Sequence, residues 1–256
     1  MAVPSSKSLT EFKLLSFDIY GTLIDWETGI YTAMAPLLKR ATSSHPLNDH
    51  MVIIKQFNKL ELKFQSEQPG LKYDQLLAHV YIELAKSLEL PDVSMEEATA
   101  FGASVGQWPA FPDTVTAMQK LGQYYKLVVL SNVDRDSFSR TLAGPLQGVK
   151  FDAIYTAQDI GSYKPDLKNL EYLLQHVDKE LGITKAQVLH TAQSLTHDHV
   201  PAKTMGMTSA WIARKGGEAG MGGLANDLEG KVAYSWRFGS LAEMAEEVEK
   251  QFASKT

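Results

Sequence analysis

Short apolar runs that end in polar residues and lead into helical patterns recur along this chain. Residues 13–17 (KLLSF) run straight into Asp18, and 126–130 (KLVVL) into Ser131 and Asn132. The segments 151–155, 187–190 and 209–212 are of the same kind, and 232–235 is a weaker one. Helical spacing falls between them at 114–124, 134–142, 168–181, 198–205 and 241–252. Short apolar strands alternating with helices predict an α/β fold, a parallel sheet covered on both faces.

Residues 27–107 break this alternation. They hold no convincing strand and read as helices at roughly 28–42, 47–66, 73–88 and 94–105. Asn48 or Asp49 is placed to cap the second helix, and the third begins near Asp74. Gln68-Pro69-Gly70 and Leu90-Pro91-Asp92 punctuate them. Trp108-Pro109-Ala110-Phe111-Pro112 then reads as a stiff return hinge. The expected division is a Rossmann-like core of residues 1–25 and 108–256, with a helical cap at 26–107 inserted after the first strand. Ligands in open α/β sheets bind beyond the strand C-termini, so such an insert can serve as a lid. The Gly-rich stretch 216–223 reads as a surface loop, because it lacks a phosphate-loop Lys-Ser/Thr signature.

Composition narrows the chemistry. The 256 residues are 44% hydrophobic and 21% charged, ordinary for a soluble chain. There is no cysteine, which excludes thiol catalysis, zinc-thiolate sites, iron–sulfur clusters and disulfides. The net charge is −5 with no basic run, so no nucleic-acid partner is expected. The first ten residues are polar and Ser-rich, unlike a signal or transit peptide, and no apolar stretch is long enough to span a membrane. A soluble, cytoplasmic protein is the expectation.

Asp18 is the strongest candidate for chemistry. A carboxylate directly after an apolar strand is held at the sheet edge with little freedom and a reduced water shell. It can attack an electrophilic carbon or phosphorus to form an ester or acyl phosphate. Gly21 permits a sharp turn behind it, and Thr22 adds a hydroxyl to orient it. Taken alone, an Asp at this place is more readily a helix N-cap.

The surrounding FDIYGTLIDWETGI (17–30) resembles the first motif of the haloacid dehalogenase superfamily, in its type II, L-2-haloacid dehalogenase-like branch. LSN (130–132) resembles the second motif, YKPD (163–166) the third, and TAQSLTHDHVPAKTMGMTSAWIAR (191–214) the fourth. The resemblance covers nearly the whole chain, with the inserted helices where the family has its cap. It implies that Asp18 is the nucleophile and that Asp198 positions or activates the water that releases product. It also places the small polar residues Gln193 and Ser194 around the nucleophile. Ser131 and Asn132 offer a hydroxyl and an amide to substrate oxygens, or a cap to the following helix. Lys164 precedes Pro165, which turns it out of helical geometry. Its ammonium is expected to lower the pKa of Asp18 and offset the repulsion of an anionic substrate. His197 and His199 flank Asp198, but adjacent residues diverge on a helix and rarely share an ion, so both are expected to be structural. Trp26 is placed either to wall the pocket or to anchor the hinge.

Three functions remain open on the sequence. In a 2-haloacid dehalogenase, halide leaves unprotonated, which suits Tyr20 at the position where the superfamily's phosphatases carry a second acid. Neither a metal nor an organic cofactor would then be needed. Relatives with halide chemistry place an Arg on the cap; here that position aligns with Gln56, and Arg40, the sole Arg of the insert, reads as an exposed helix end. Glu61, one helical turn on, is expected to repel a halide. A small-metabolite phosphatase would use Asp18 and Asp198 as Mg²⁺ ligands, without the usual second acid in the fourth motif. A binding protein without turnover is the third. The expected partner is a small anionic organic substrate, with a second copy of the chain as a further candidate.

Overall fold

The computed structural model describes residues 7–41, 49–214, 228 and 230–255. Six strands, β1 (Leu14–Phe17), β2 (Lys126–Ser131), β3 (Ala153–Thr156), β4 (Val188–Ala192), β5 (Thr208–Ile212) and β6 (Trp236–Phe238), form one sheet. Their order is β3-β2-β1-β4-β5-β6 and every adjacent pair is parallel. Side chains alternate across a strand, so each central strand feeds two cores. Leu14, Val128 and Leu130 pack on one face with Leu170, Leu173 and Val177 of a helix. Leu15, Phe17, Leu127 and Val129 pack on the other with Met118, Leu121, Met244 and Val248. This double burial is why the strands read as unbroken apolar runs rather than as alternation.

Between β1 and β2 lie α1 (Trp26–Ala33), α2 (Ala35–Leu38), α3 (His50–Glu67), α4 (Tyr73–Ser87), α5 (Met95–Ala103) and α6 (Thr114–Leu121). The helix expected at 28–42 is two helices, because Pro36 sits in the first turn of α2, where its missing N–H is harmless but a continuous helix would be broken. Asn48 lies outside the described residues; Asp49 caps α3 by accepting from Met51 N. α4 begins beside Asp74 as expected, with Asp74 in its first turn and Lys72 at the cap position. The chain enters and leaves this insert as a zipped pair. Asp25 N donates to Pro109 O at 2.8 Å, Phe111 N to Leu23 O at 3.1 Å, and Thr114 Oγ1 to Leu23 O at 2.8 Å.

After β2 come α7 (Arg135–Ala143), capped by Asp134, the single turn α8 (Ala157–Ile160) after β3, and α9 (Lys168–Leu181). The helix expected at 198–205 is a π-turn, Leu195–His199, followed by α10 (Val200–Thr204). The last helix is α11 (Leu241–Ala253), which packs on α6. The expected strand at 232–235 is a misreading: the strand is β6, and Val232 and Tyr234 are apolar because they cover Leu195, Trp211 and Ala213 as a buried loop. The Gly-rich stretch 216–223 lies outside the described residues. No helix among those described is long and apolar enough to cross a membrane.

The crossing of α4 and α5 depends on Gly102. A Cβ there would sit 2.0 Å from the carbonyl oxygen of Asp74, a backbone atom that cannot step aside, whereas a Cβ at Gly70 would meet nothing within 4 Å. Gly102→Ala is therefore expected to cost about 1–3 kcal/mol of stability through overpacking, and Gly70→Ala to leave stability unchanged or slightly raised. Urea unfolding midpoints of the two variants check this; equal midpoints would show that the helices part freely.

Candidate active site

The C-terminal ends of β1, β2 and β4 meet beneath the helical insert, where the strand order reverses direction from β1. The end of β1 delivers Asp18, and the loop before α9 delivers Lys164, which is 3% exposed. The π-turn after β4 delivers Asp198, 1% exposed. The Lys164 ammonium donates to Asp18 Oδ1 at 2.8 Å, to Asp198 Oδ1 at 2.8 Å and to Leu130 O at 3.1 Å. Its three donors are thereby matched to three acceptors.

Each member is held from behind. Thr22 Oγ1 donates to Asp18 Oδ2 at 2.6 Å and accepts from Gln193 N at 2.8 Å. Gly21 makes this turn possible with φ of 101°, and a side chain there would press on Trp26 and Gln193. Trp26 thus packs against the turn and is absent from the cleft lining. Arg214, stacked on Phe111, clamps the carbonyl of Thr22 from Nε and Nη2. Asn132 holds the backbone of Lys164 at two points, accepting from its N at 2.7 Å and donating to its O at 3.1 Å. The amide expected to bind substrate is spent on positioning Lys164.

His190 was not singled out by the sequence, where it reads only as the end of a strand. Its Nε2 donates to Asp198 Oδ1 at 2.9 Å, and its Nδ1 lies 2.9 Å from the Ser16 hydroxyl. The register of β1 against β4 pairs these two residues, so two polar side chains share one level of an apolar sheet. His197 N donates to Ser194 Oγ, so the hydroxyl is free to point its proton at His197 Nδ1, 3.0 Å away. His199 lies between Ser209 Oγ and Ala192 O, away from the cleft. Burial pushes both His197 and His199 down to about 4, so each is neutral at physiological pH.

Charge in this cluster is unequally shared. Burial opposes the charge on Lys164, but Asp18 and Asp198 outweigh it and hold its pKa above the ordinary value. Burial also opposes ionisation of Asp198, yet Lys164 and His190 together keep its carboxyl below the usual range. Asp18 goes the other way. Burial raises its pKa and Asp198 adds to the rise, against the lowering by Lys164 and Thr22. The expected lowering by Lys164 is present but outweighed, so Asp18 is the more basic carboxylate of the two.

Above the cluster is a small cleft. Its core side is lined by Asp18, Ser131, Asn132, Lys164, Gln193, Ser194, His197 and Asp198, with Tyr20 at the rim and Glu61, Gln65 and Tyr73 from the insert. Tyr20 places its hydroxyl 2.8 Å from Thr141 Oγ1 and its ring edge-on to Trp108. Three buried polar atoms of these lining residues have no hydrogen-bond partner: Ser131 Oγ, Asp198 Oδ2 and Glu61 Oε2. Arg40 turns away to Glu97 on α5, and Gln56 does not line the cleft.

Asp18 and Asp198 fit a divalent cation poorly. Three of their four oxygens are engaged by Lys164, Thr22 and His190, and the ammonium already lies between the two carboxylates. No group of three or more His, Asp or Glu side chains poised around one point occurs among the described residues.

Comparison with known proteins gives this geometry its context. Residues 12–191 match the family model of haloacid dehalogenase-like hydrolases. No curated protein matches in sequence. Among solved structures, a defluorinating L-2-haloacid dehalogenase aligns over 96% of this chain and 100% of its own, with a TM-score of 0.73 at 17% identity. The L-2-haloacid dehalogenase of Xanthobacter autotrophicus aligns over 93% and 98%, at 0.72 and 17%. YfnB of Bacillus subtilis, a HAD-hydrolase bound to magnesium, aligns over 93% and 99%, at 0.70 and 15%. At such identities these structures share the fold. The family model covers most of the chain, from ahead of the Asp18 strand to the strand before Asp198, and on that ground the protein belongs to the haloacid dehalogenase-like hydrolases.

Proposed function

We propose that the protein hydrolyses a carbon–halogen bond in a small 2-haloacid by covalent catalysis without a metal. The observation that carries this reading is the Lys164 ammonium shared at 2.8 Å by Asp18 and Asp198. It supplies the site's positive charge from the chain itself, and it leaves Asp18 the more basic, better nucleophile.

A carboxylate oxygen of Asp18 attacks C2 of the substrate, and the C–X bond breaks with its electron pair leaving on X. The substrate carboxylate is met by Ser131 Oγ, which is buried and unpartnered. Water then adds to the carbonyl carbon of the Asp18 ester, its proton passing to Asp198 at the open Oδ2. The tetrahedral carbon expels the 2-hydroxy acid, which takes that proton back. Asp18, left protonated, loses its proton to solvent, so the net release is HX. One structural neighbour, from Xanthobacter autotrophicus, was solved with chloropropionic acid covalently bound.

Asp18→Asn is expected to abolish turnover of 2-chloropropionate with the fold intact, and intact-protein mass should show the substrate adduct on wild type alone. Retention of a tenth of wild-type turnover would remove Asp18 from the role of nucleophile.

Lys164→Met is expected to cost about 2–4 kcal/mol of transition-state stabilisation, as for a lost preorganised charge, with Lys164→Arg restoring part of it. The sign with pH follows from Asp18. Activity needs its ionised form, so it is lost as pH falls through a pKa raised above the usual aspartate range, and without Lys164 the acid limb moves higher. An unmoved limb in Lys164→Met would break the link between the two residues.

Turnover of 2-chloropropionate is expected to be unchanged by EDTA, and a small phosphate ester to react poorly even with excess Mg²⁺. Faster, Mg²⁺-dependent phosphate release would replace this reading with the phosphatase.

A further inference from the structure

The cap side of the cleft holds a carboxyl group that the reaction above does not use. Glu61, on α3, is 2% exposed and lines the same cleft as Asp18. Its Oε1 accepts from the Tyr73 hydroxyl at 2.6 Å and from Gln65 Nε2 at 3.2 Å. Its Oε2 is buried without a partner. Among the described residues no Lys, Arg or His nitrogen pairs with it.

Two donors on Oε1 make that atom the carbonyl oxygen of a neutral acid, which puts the acid's own proton on Oε2, the atom left open. Burial, against a smaller opposing effect of the Tyr73 hydrogen bond, raises its pKa to about 7. Nothing charged nearby reverses this. Tyr73 from α4 and Tyr20 and Tyr163 from the core are themselves held neutral by burial. Asp18, Lys164, Asp198 and the neutral His197 face it across the cleft, and Asp74 and Asp134 lie further out beside Tyr163. On its own helix, Lys63 lies over the Phe64 ring. Two carboxylates and one ammonium already leave the floor of the cleft with one negative charge. An ionised Glu61 would add a second against an anionic substrate, and a neutral one adds a donor.

Resting on the proposed carbon–halogen chemistry, we infer that Glu61 Oε2–H donates to the leaving atom of the substrate, in the place where a cap cation would otherwise receive it. As the Asp18 oxygen bonds to carbon and the C–X pair moves onto X, the Glu61 O–H hydrogen-bonds to the halide that forms. The proton stays on Glu61, X departs as the anion, and the proton that completes the release of HX is the one Asp18 loses to solvent. Donation matters most for a small, hard leaving atom that accepts hydrogen bonds strongly, and least for a large, soft one. The specificity expected of this pocket is therefore fluoride displacement relative to bromide.

The test compares halide release from fluoroacetate and bromoacetate by wild type, Glu61→Gln and Glu61→Leu, on both sides of pH 7. Wild-type kcat/KM for fluoroacetate is expected to fall as pH rises past about 7, with bromoacetate little affected. Glu61→Gln keeps a donor that does not titrate, so the alkaline limb should vanish. Glu61→Leu should lose on the order of 100-fold on fluoroacetate and far less on bromoacetate, a selectivity that a merely structural role would not produce. Equal losses on both substrates, or an alkaline limb that survives in Glu61→Gln, would overturn the inference and leave Asp18 catalysis standing. Absence of halide release together with absence of any Asp18 adduct in wild type would overturn the dehalogenase reading and this inference with it.

Discussion

Two carboxylates sharing one ammonium in a nearly water-free site impose a constraint that much of the core is arranged to meet. Each charge pair at 2.8 Å attracts by about 6 kcal/mol at an effective dielectric near 20, and dehydrating each ion costs several kcal/mol. Such a cluster persists only if its geometry is fixed independently of the attraction. Here it is. Asp18 is fixed by the end of β1 and the Thr22 hydroxyl, Lys164 by the Asn132 clamp, and Asp198 by the π-turn and the Ser16–His190 pair. A π-turn adds a residue to one helical turn, and such turns often mark functional sites. In this chain the added residue falls where Asp198 must reach inward past the end of β4.

The same constraint separates the two acids. Asp198 touches both Lys164 and His190 and is held ionised, whereas Asp18 shares Lys164 and feels its neighbour's charge. One carboxylate is kept as a steady acceptor and the other is left more basic, although both began as the same residue type. Environment assigns the roles. Arg214 reaches this arrangement indirectly: by clamping the Thr22 carbonyl it fixes the turn that holds the Asp18 carboxylate.

Much of the fold was legible because its signals are local. Apolar runs gave five of the six strands to within two or three residues, and the helix at 168–181 to the residue. The miss at 232–235 arose because Val232 and Tyr234 are buried by a loop, and burial without a regular period mimics a strand. Within the site, Asp18, Ser131, Lys164 and Asp198 stand at strand ends or in motifs and were readable. Asn132 was read as a substrate ligand because its type shows what an amide can bond, not that the Lys164 backbone would take both ends of it. His190 was hidden because its partner Ser16 is 174 positions away and meets it only through strand register.

Glu61 marks the limit of reading charge from a letter. From the sequence a Glu on the cap is an anion that repels a halide, and that expectation assumes water around it. The structure removes the water and gives both available donors to one oxygen, which leaves the other to carry the proton. The residue type is unchanged, but burial raises its pKa to about 7, so below that pH it is a neutral donor rather than an anion. Gln65 lies one helical turn away, yet Tyr73 comes from a different helix, and only the packing of α3 on α4 brings its hydroxyl to 2.6 Å. In a closed cleft whose floor already carries a negative charge, an acid that keeps its proton is the form of carboxylate that an anionic substrate can approach.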